Sequence, residues 1–122
     1  MKVRVLVVDD DEHVRRMLSR LIVALGHDCA AVASGREALD VLSRERFEVA
    51  LLDLRMPGLS GVETWQRICA MPGAHPSGVL VTAASEGASI AAANGLPYLS
   101  KPFELDVFRR VLAEAIARFN ET

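Results

Sequence analysis

Short apolar runs alternate along the chain with longer segments of helical period. Residues 3–8 form a β-branched run that stops abruptly at Asp9, Asp10 and Asp11. Val14, Met17, Leu18, Leu21, Ile22 and Leu25 then recur on one helical face and Gly26 closes the segment, which predicts a helix over 13–25. A second short strand is predicted over 29–33. Ser34-Gly35 opens a helix carrying Ala38, Leu39, Val41 and Leu42, with Glu37 in the first turn where the helix dipole favours an acid. A third strand over 48–52 stops at Asp53. Met56-Pro57-Gly58-Leu59-Ser60-Gly61 is turn chemistry, followed by a helix over about 62–70. A proline- and glycine-containing loop over 71–77 leads to a strand over 79–81 that ends at Thr82. An alanine-rich helix over 86–94 is terminated by Asn94-Gly95, and a brief strand over 98–100 ends at Lys101-Pro102. Residues 105–119 form a strong amphipathic helix, with Phe108, Val111, Leu112, Ala115, Ile116 and Phe119 on one side.

Five strand-then-helix units predict an α/β fold, a parallel sheet doubly wound with helices on both faces. Right-handed crossovers leave few other ways to wind it. The 122 residues are enough for one hydrophobic core and too few for two, so 1–122 reads as one domain. With 14 basic against 16 acidic side chains, the formal charge of −2 advertises neither nucleic-acid binding nor attachment to a membrane surface. No apolar run approaches the ~18 residues of a membrane span. The amino-terminal run is not a signal peptide, because Leu6-Val7-Val8 leads straight into three acids. Cys29 and Cys69 have neither metal-ligand spacing nor the density of a secreted scaffold, and both are expected as small buried thiols. These features favour a cytoplasmic location.

The informative polar residues fall at strand ends. Asp9 and Asp10 follow the first strand, Asp53 the third, Thr82 the fourth and Lys101 the fifth. In an open α/β sheet the ligand crevice lies outside the carboxyl ends of the strands, where strand order reverses. If the first and third strands are neighbours, three carboxylates converge there. Helix capping explains such acids one at a time, and Asp11 is expected to cap the first helix. It does not explain three strand ends aimed at one place beside a Thr and a Lys. Three close carboxylates ionise together at neutral pH only if a cation offsets their charge. Oxygen donors without a nearby His or Cys select a hard divalent ion, with Mg²⁺ the default. A carboxylate beside such an ion can attack phosphorus and form an acyl phosphate. Lys101 and Thr82 would then supply an ammonium and a hydroxyl to the phosphoryl oxygens.

These residues resemble the receiver domain of bacterial two-component response regulators. The resemblance rests on Leu6-Val7-Val8-Asp9-Asp10, Leu51-Leu52-Asp53-Leu54-Arg55-Met56-Pro57-Gly58, Gly61, Val81-Thr82-Ala83 and Tyr98-Leu99-Ser100-Lys101-Pro102-Phe103, and it covers essentially the whole chain. It implies a three-layer, five-stranded, flavodoxin-like parallel sheet of order 2-1-3-4-5. It implies that Asp53 is the phosphoacceptor and that Asp10 binds Mg²⁺ directly, with Asp9 acting partly through water. The backbone carbonyl of Arg55 would complete the protein's share of the metal shell. Lys101 would pair with the phosphoryl oxygens, through a residue joined to Pro102 by a cis bond in the family. Thr82 and Tyr98 would form the switch, Thr82 moving toward the phosphoryl group and Tyr98 turning inward behind it. The implied partners are a sensor histidine kinase or a histidine phosphotransfer protein, and a downstream effector protein or a second copy of the chain. No direct nucleic-acid or membrane contact is implied.

Some features depart from that pattern. Only nineteen steps separate Thr82 from Lys101, a few fewer than the family pattern, so the fourth helix is expected to be short or poorly ordered. Ile90 and Leu96 are the only large apolar side chains of that stretch, which puts the usual output surface in doubt. Pro97 opens the fifth strand, which an edge strand tolerates. Arg55 and Ala84 stand two positions after Asp53 and Thr82, where the family adjusts loss of the phosphoryl group to water. Arg55 either screens phosphate, contacts a partner or is simply solvated. His13 is expected as an exposed helix residue, His27 and His75 as surface residues in turns, and Trp65 as partly buried.

A phosphorylation-controlled signalling module, catalysing only its own phosphotransfer and dephosphorylation, fits best. One alternative is a pseudo-receiver that keeps the fold as a constitutive protein-interaction module. Another is a Mg²⁺-dependent aspartyl phosphohydrolase, from the Asp-x-Asp within Asp9-Asp10-Asp11, though the chain has little room for a cap. Neither a glycine-rich nucleotide fingerprint nor a P-loop is present. Residues 1–122 are not expected to include an effector domain, and both a free-standing regulator and a receiver from a longer protein or hybrid kinase fit the sequence.

Overall fold

In the computed structural model, which describes residues 2–121, strands and helices alternate from end to end. They are β1 (Arg4–Val8), α1 (Glu12–Ala24), β2 (Asp28–Val32), α2 (Gly35–Leu42), β3 (Val49–Leu52), α3 (Gly61–Ala70), β4 (Ser77–Thr82), α4 (Gly87–Ala93), β5 (Tyr98–Ser100) and α5 (Leu105–Asn120). Every strand pairing is parallel and the order is β2-β1-β3-β4-β5. The order reverses between β1 and β3, whose register pairs Val8 with Leu52. The residues that follow those two, Asp9 and Asp53, are therefore neighbours.

Strand side chains alternate between two cores, which is why the central strands read as unbroken apolar runs. Val5, Val7, Val49, Leu51, Val79 and Val81 pack with Leu18 and Ile22 of α1 and with Phe108, Leu112 and Ala115 of α5. On the opposite face Leu6, Val8 and Leu52 pack with Ala38 of α2, Ile68 of α3 and Phe47. Leu80 packs there with Ala91 of α4 and with Leu96. Helix starts follow local capping. Asp11 accepts the amides of His13 and Val14, so α1 begins at Glu12, before the apolar periodicity shows. Ser34 caps α2, and Ser60 with Glu63 closes a reciprocal capping box on α3.

The structure corrects several expectations. Cys69 is exposed on α3, because Thr64 and Ile68 hold the inward positions and residue 69 lies a hundred degrees round the helix from Ile68. Cys29 is only half-buried, beside the Ser19 hydroxyl, and burial pushes its thiol above the ordinary value. Met17 is 42% exposed, at the margin of the α1 stripe. β4 starts two residues early, because Ser77 and Gly78 lack apolar bulk yet pair with Val49 and Ala50. His27 is half-buried, its Nδ1 accepting the Val3 amide at 3.1 Å, so it closes the α1–β2 turn onto β1. His13 and His75 are exposed and Trp65 is half-buried, as expected. α4 is short, at seven residues.

Leu112 is 2% exposed in the α5 core. Leu112→Ala is expected to lower unfolding stability by about 2–5 kcal/mol, the range for a large-to-small change in a packed interior. Urea denaturation followed by circular dichroism measures this, and a loss under about 1 kcal/mol would mean that α5 is loosely held.

Candidate functional site

Three chemistry-bearing residues stand one position beyond a strand, with their amides still in the ladder. The Asp9 amide donates to the Val32 carbonyl at 3.2 Å, that of Asp53 to Val8 at 2.9 Å and that of Lys101 to Thr82 at 3.0 Å. Their backbones are thus held by the sheet while their side chains project at its carboxyl edge. One carboxylate oxygen from each of Asp9, Asp10 and Asp53 lies within 4.8 Å of the other two. Asp9 is buried, Asp53 half-buried and Asp10 exposed.

Lys101 is the cation among them. Its Nζ donates to Asp9 Oδ2 at 2.7 Å and stands 3.5 Å from Asp53 Oδ2. Asp9 is further committed, since its Oδ1 accepts the Asp11 amide at 2.9 Å and its carbonyl accepts Arg15 Nη1 at 2.9 Å. Burial pushes the Asp53 carboxyl above its ordinary value. The Lys101 ammonium opposes that rise and the Asp9 charge adds to it, while the Thr82 hydroxyl and the Leu54 amide pull it back. Burial thus weakens the hold of Asp53 on its own charge, which a nearby cation would strengthen.

Two glycines give the site its shape. A Cβ on Gly61 would stand 2.1 Å from the Asp53 carbonyl oxygen, so the turn after β3 folds back on Asp53 only with no side chain there. A Cβ on Gly87 would stand 2.7 Å from the Thr82 methyl and 2.6 Å from the Tyr98 ring. Thr82 and Tyr98 thus both border the first residue of α4. Thr82 is buried, and its hydroxyl oxygen accepts the Ala84 amide at 3.2 Å. The bond joining Lys101 to Pro102 is cis.

Of the residues picked out from sequence, Asp9, Asp10, Asp53 and Lys101 are brought together, with Thr82 beside Asp53. The Arg55 side chain points elsewhere. Its guanidinium pairs with Glu86, the residue before α4, linking the β3–α3 turn to the start of that helix. Glu86 and Gly87 were not legible as site residues. A glutamate in an alanine-rich stretch carries no spacing signal toward a residue 31 positions away, and Gly87 reads as a loop residue.

A match to the response regulator receiver domain family spans residues 5–113. The chain is 31% identical over 117 residues to the DNA-binding transcriptional regulator NtrC of Klebsiella pneumoniae, a match covering 94% of this chain and 25% of that protein. It is 37% identical over 108 residues to the response regulator MprA of Mycolicibacterium vanbaalenii, covering 87% of this chain and 47% of that protein. The crystal structure of a response regulator receiver protein from Burkholderia phymatum superimposes with a TM-score of 0.80 at 31% identity, covering 94% of this chain and 95% of that one. The chain thus spans a quarter and about half of the lengths of these two curated relatives. Among the described residues, no helix is long and apolar enough to cross a membrane.

A carboxyl held above its ordinary value in the folded state adds no penalty below the unfolded-state value and its full penalty once ionised. Asp53→Asn is therefore expected to raise the urea midpoint at pH 7 in metal-free buffer. The gain should vanish as the pH falls below about 4. Urea midpoints of both proteins across that range measure this; equal midpoints at pH 7 would mean that the Asp53 charge is fully compensated in the fold.

Proposed function

The chain belongs to the response regulator receiver domain family, the receiver module of two-component systems, and we propose that it accepts a phosphoryl group on Asp53 and switches through Thr82 and Tyr98. The single observation carrying this reading is the meeting of Asp53 with Asp9, Asp10 and Lys101 at one sheet edge. The donor would be a phosphohistidine on a sensor histidine kinase or a histidine phosphotransfer protein. An Asp53 oxygen attacks phosphorus, the P–N bond breaks, and the imidazole nitrogen leaves with the electron pair and is then protonated. The product on this chain is an acyl phosphate. It turns over no external metabolite; water later cleaves the acyl phosphate and restores Asp53.

Three carboxylates facing one ammonium are an all-oxygen, under-neutralised donor set, which fits a hard divalent cation. Asp10, Asp53 and the Arg55 carbonyl would hold Mg²⁺, with Asp9 contributing partly through water. When bound, the ion supplies positive charge to the carboxylates and to the transferring phosphoryl oxygens. Lys101 stands close enough to Asp53 to pair with a phosphoryl oxygen there. The Thr82 hydroxyl would donate to another, drawing Thr82 inward and freeing space for the Tyr98 ring, which shares its contact at Gly87. The signal would leave through the surface of α4, β5 and α5, to an effector protein or a second copy, by a shift in population between two forms.

Incubation with Mg²⁺ and acetyl phosphate is expected to add one phosphoryl mass to the wild type, and none to Asp53→Asn or in EDTA. Intact-mass spectrometry over a short time course measures it. An undiminished adduct on Asp53→Asn would mean another nucleophile, and no adduct from two donors would favour a constitutive interaction module instead. Asp10→Ala is expected to weaken Mg²⁺ at least tenfold, the scale of losing one charged ligand; an unchanged titration of Trp65 fluorescence or of amide shifts would remove Asp10 from the metal shell.

A further inference from the structure

At the amino-terminal edge of the sheet, opposite the acid cluster, a cleft of about 470 Å³ opens between the residues before β3, the loop before β4 and the end of α5. Its walls include Arg46, Trp65, His75, Leu96, Arg118 and Phe119, and no carboxylate lines it. Trp65 and His75 meet edge to face with ring centres 5.7 Å apart. The Arg46 guanidinium lies over the Phe119 ring, 5.7 Å from its centre. A smaller lobe of about 320 Å³ adjoins and shares Arg46, His75 and Phe119. Its one acid, Glu45, is already paired with Arg4, and its Arg44 with Asp40.

The cleft combines two arginines with aromatic walls and no carboxylate. Arg4, Arg16, Arg44, Arg55 and Arg110 each pair with a carboxylate. Among the described residues, Arg15, Arg20, Arg36, Arg46, Arg67, Arg109 and Arg118 form no ion pair, and of these Arg46 and Arg118 line this one cleft from different elements. Two positive charges lining one cleft with no carboxylate beside them favour an anion there. A guanidinium presents parallel N–H donors that match a carboxylate in bidentate fashion, and its flat face tolerates a ring beside it. The volume lies within the range of small-molecule sites, and the mixture of apolar walls with a few convergent polar groups is their usual make-up.

We propose that this cleft binds a small organic anion, with a flat apolar ring lying against Trp65 and Phe119 and a carboxylate held by Arg46 and Arg118. The site is separate from Asp53 and does not depend on phosphorylation.

Titrating the ¹⁵N-labelled chain with 2-naphthoate tests this by heteronuclear NMR, because Trp65 is the only tryptophan and its indole N–H gives one resolved signal. Saturable shifts are expected at the Trp65 indole and at the amides of Gly73, Gly78 and Gly95, with a dissociation constant on the order of 0.1–1 mM. The neutral analogue 2-naphthol should bind roughly tenfold more weakly, as should Arg46→Gln and Arg118→Gln tested singly. Each variant's unperturbed spectrum away from the cleft verifies its fold. Asp53→Asn should bind 2-naphthoate as the wild type does. Non-saturating or scattered shifts would overturn the proposal. So would equal binding of 2-naphthol, equal binding by both arginine variants, or inorganic phosphate producing the same shifts with the same affinity, which would mark a plain anion patch.

Discussion

Electrostatic repulsion among Asp9, Asp10 and Asp53, met by one ammonium, is the constraint on which the carboxyl edge of this sheet depends. The ladder places Asp9 and Asp53 side by side because β1 and β3 pair in register up to Val8 and Leu52. That proximity would be unfavourable without Lys101, which arrives from the far edge strand, 92 residues along the chain from Asp9. The Lys101–Asp9 pair is largely desolvated, and removing one partner of such a pair strands the other charge at a cost of about 3–5 kcal/mol. One ammonium still does not neutralise three carboxylates. The remaining negative charge makes the site receptive to a divalent cation, and burial of Asp53 disfavours its charged form.

The strands behind this edge transmit little by themselves, being buried on both faces. Side-chain contacts with the surroundings of Asp53 lie at the start of α4. Thr82 and Tyr98 both flank Gly87, the first residue of α4. Glu86 makes no side-chain cap to α4 and instead pairs with Arg55, across from the turn that follows Asp53. Two separate links therefore run from the surroundings of Asp53 to one seven-residue helix. The exposed ion pair is individually weak, worth at most about 1 kcal/mol.

The brevity of α4 has a structural consequence at the other end of the molecule. Leu96, directly after the helix-closing Gly95, is buried against Leu54, Leu80 and Ala91 and also reaches the wall of the amino-terminal cleft. The three-residue strand β5 follows at the edge, with Pro97 contributing its carbonyl to the Leu80 amide rather than a donor of its own. The same short segment thus bears on both ends of the sheet.

Much of this was legible before any coordinates. Strand and helix order followed from periodicity, because strands buried on both faces must be apolar throughout and amphipathic helices repeat their apolar positions every three or four residues. Asp9, Asp10, Asp53, Thr82 and Lys101 stood out because strand ends in a parallel sheet share one edge, so topology converts sequence position into proximity. What the one-dimensional pattern could not carry was side-chain direction and pairing between distant segments. Cys69 looked apolar by neighbourhood but faces solvent by helical phase, and His27 looked like a surface residue until its acceptance of the Val3 amide appeared. The Arg55–Glu86 pair, the contact of Gly87 with Thr82 and Tyr98, and the gathering of Arg46, Arg118 and Trp65 around one cleft join residues with no spacing rule between them. Only the packing of helices on a twisted sheet decides such meetings, since they depend on the relative placement of elements rather than on the period within any one of them.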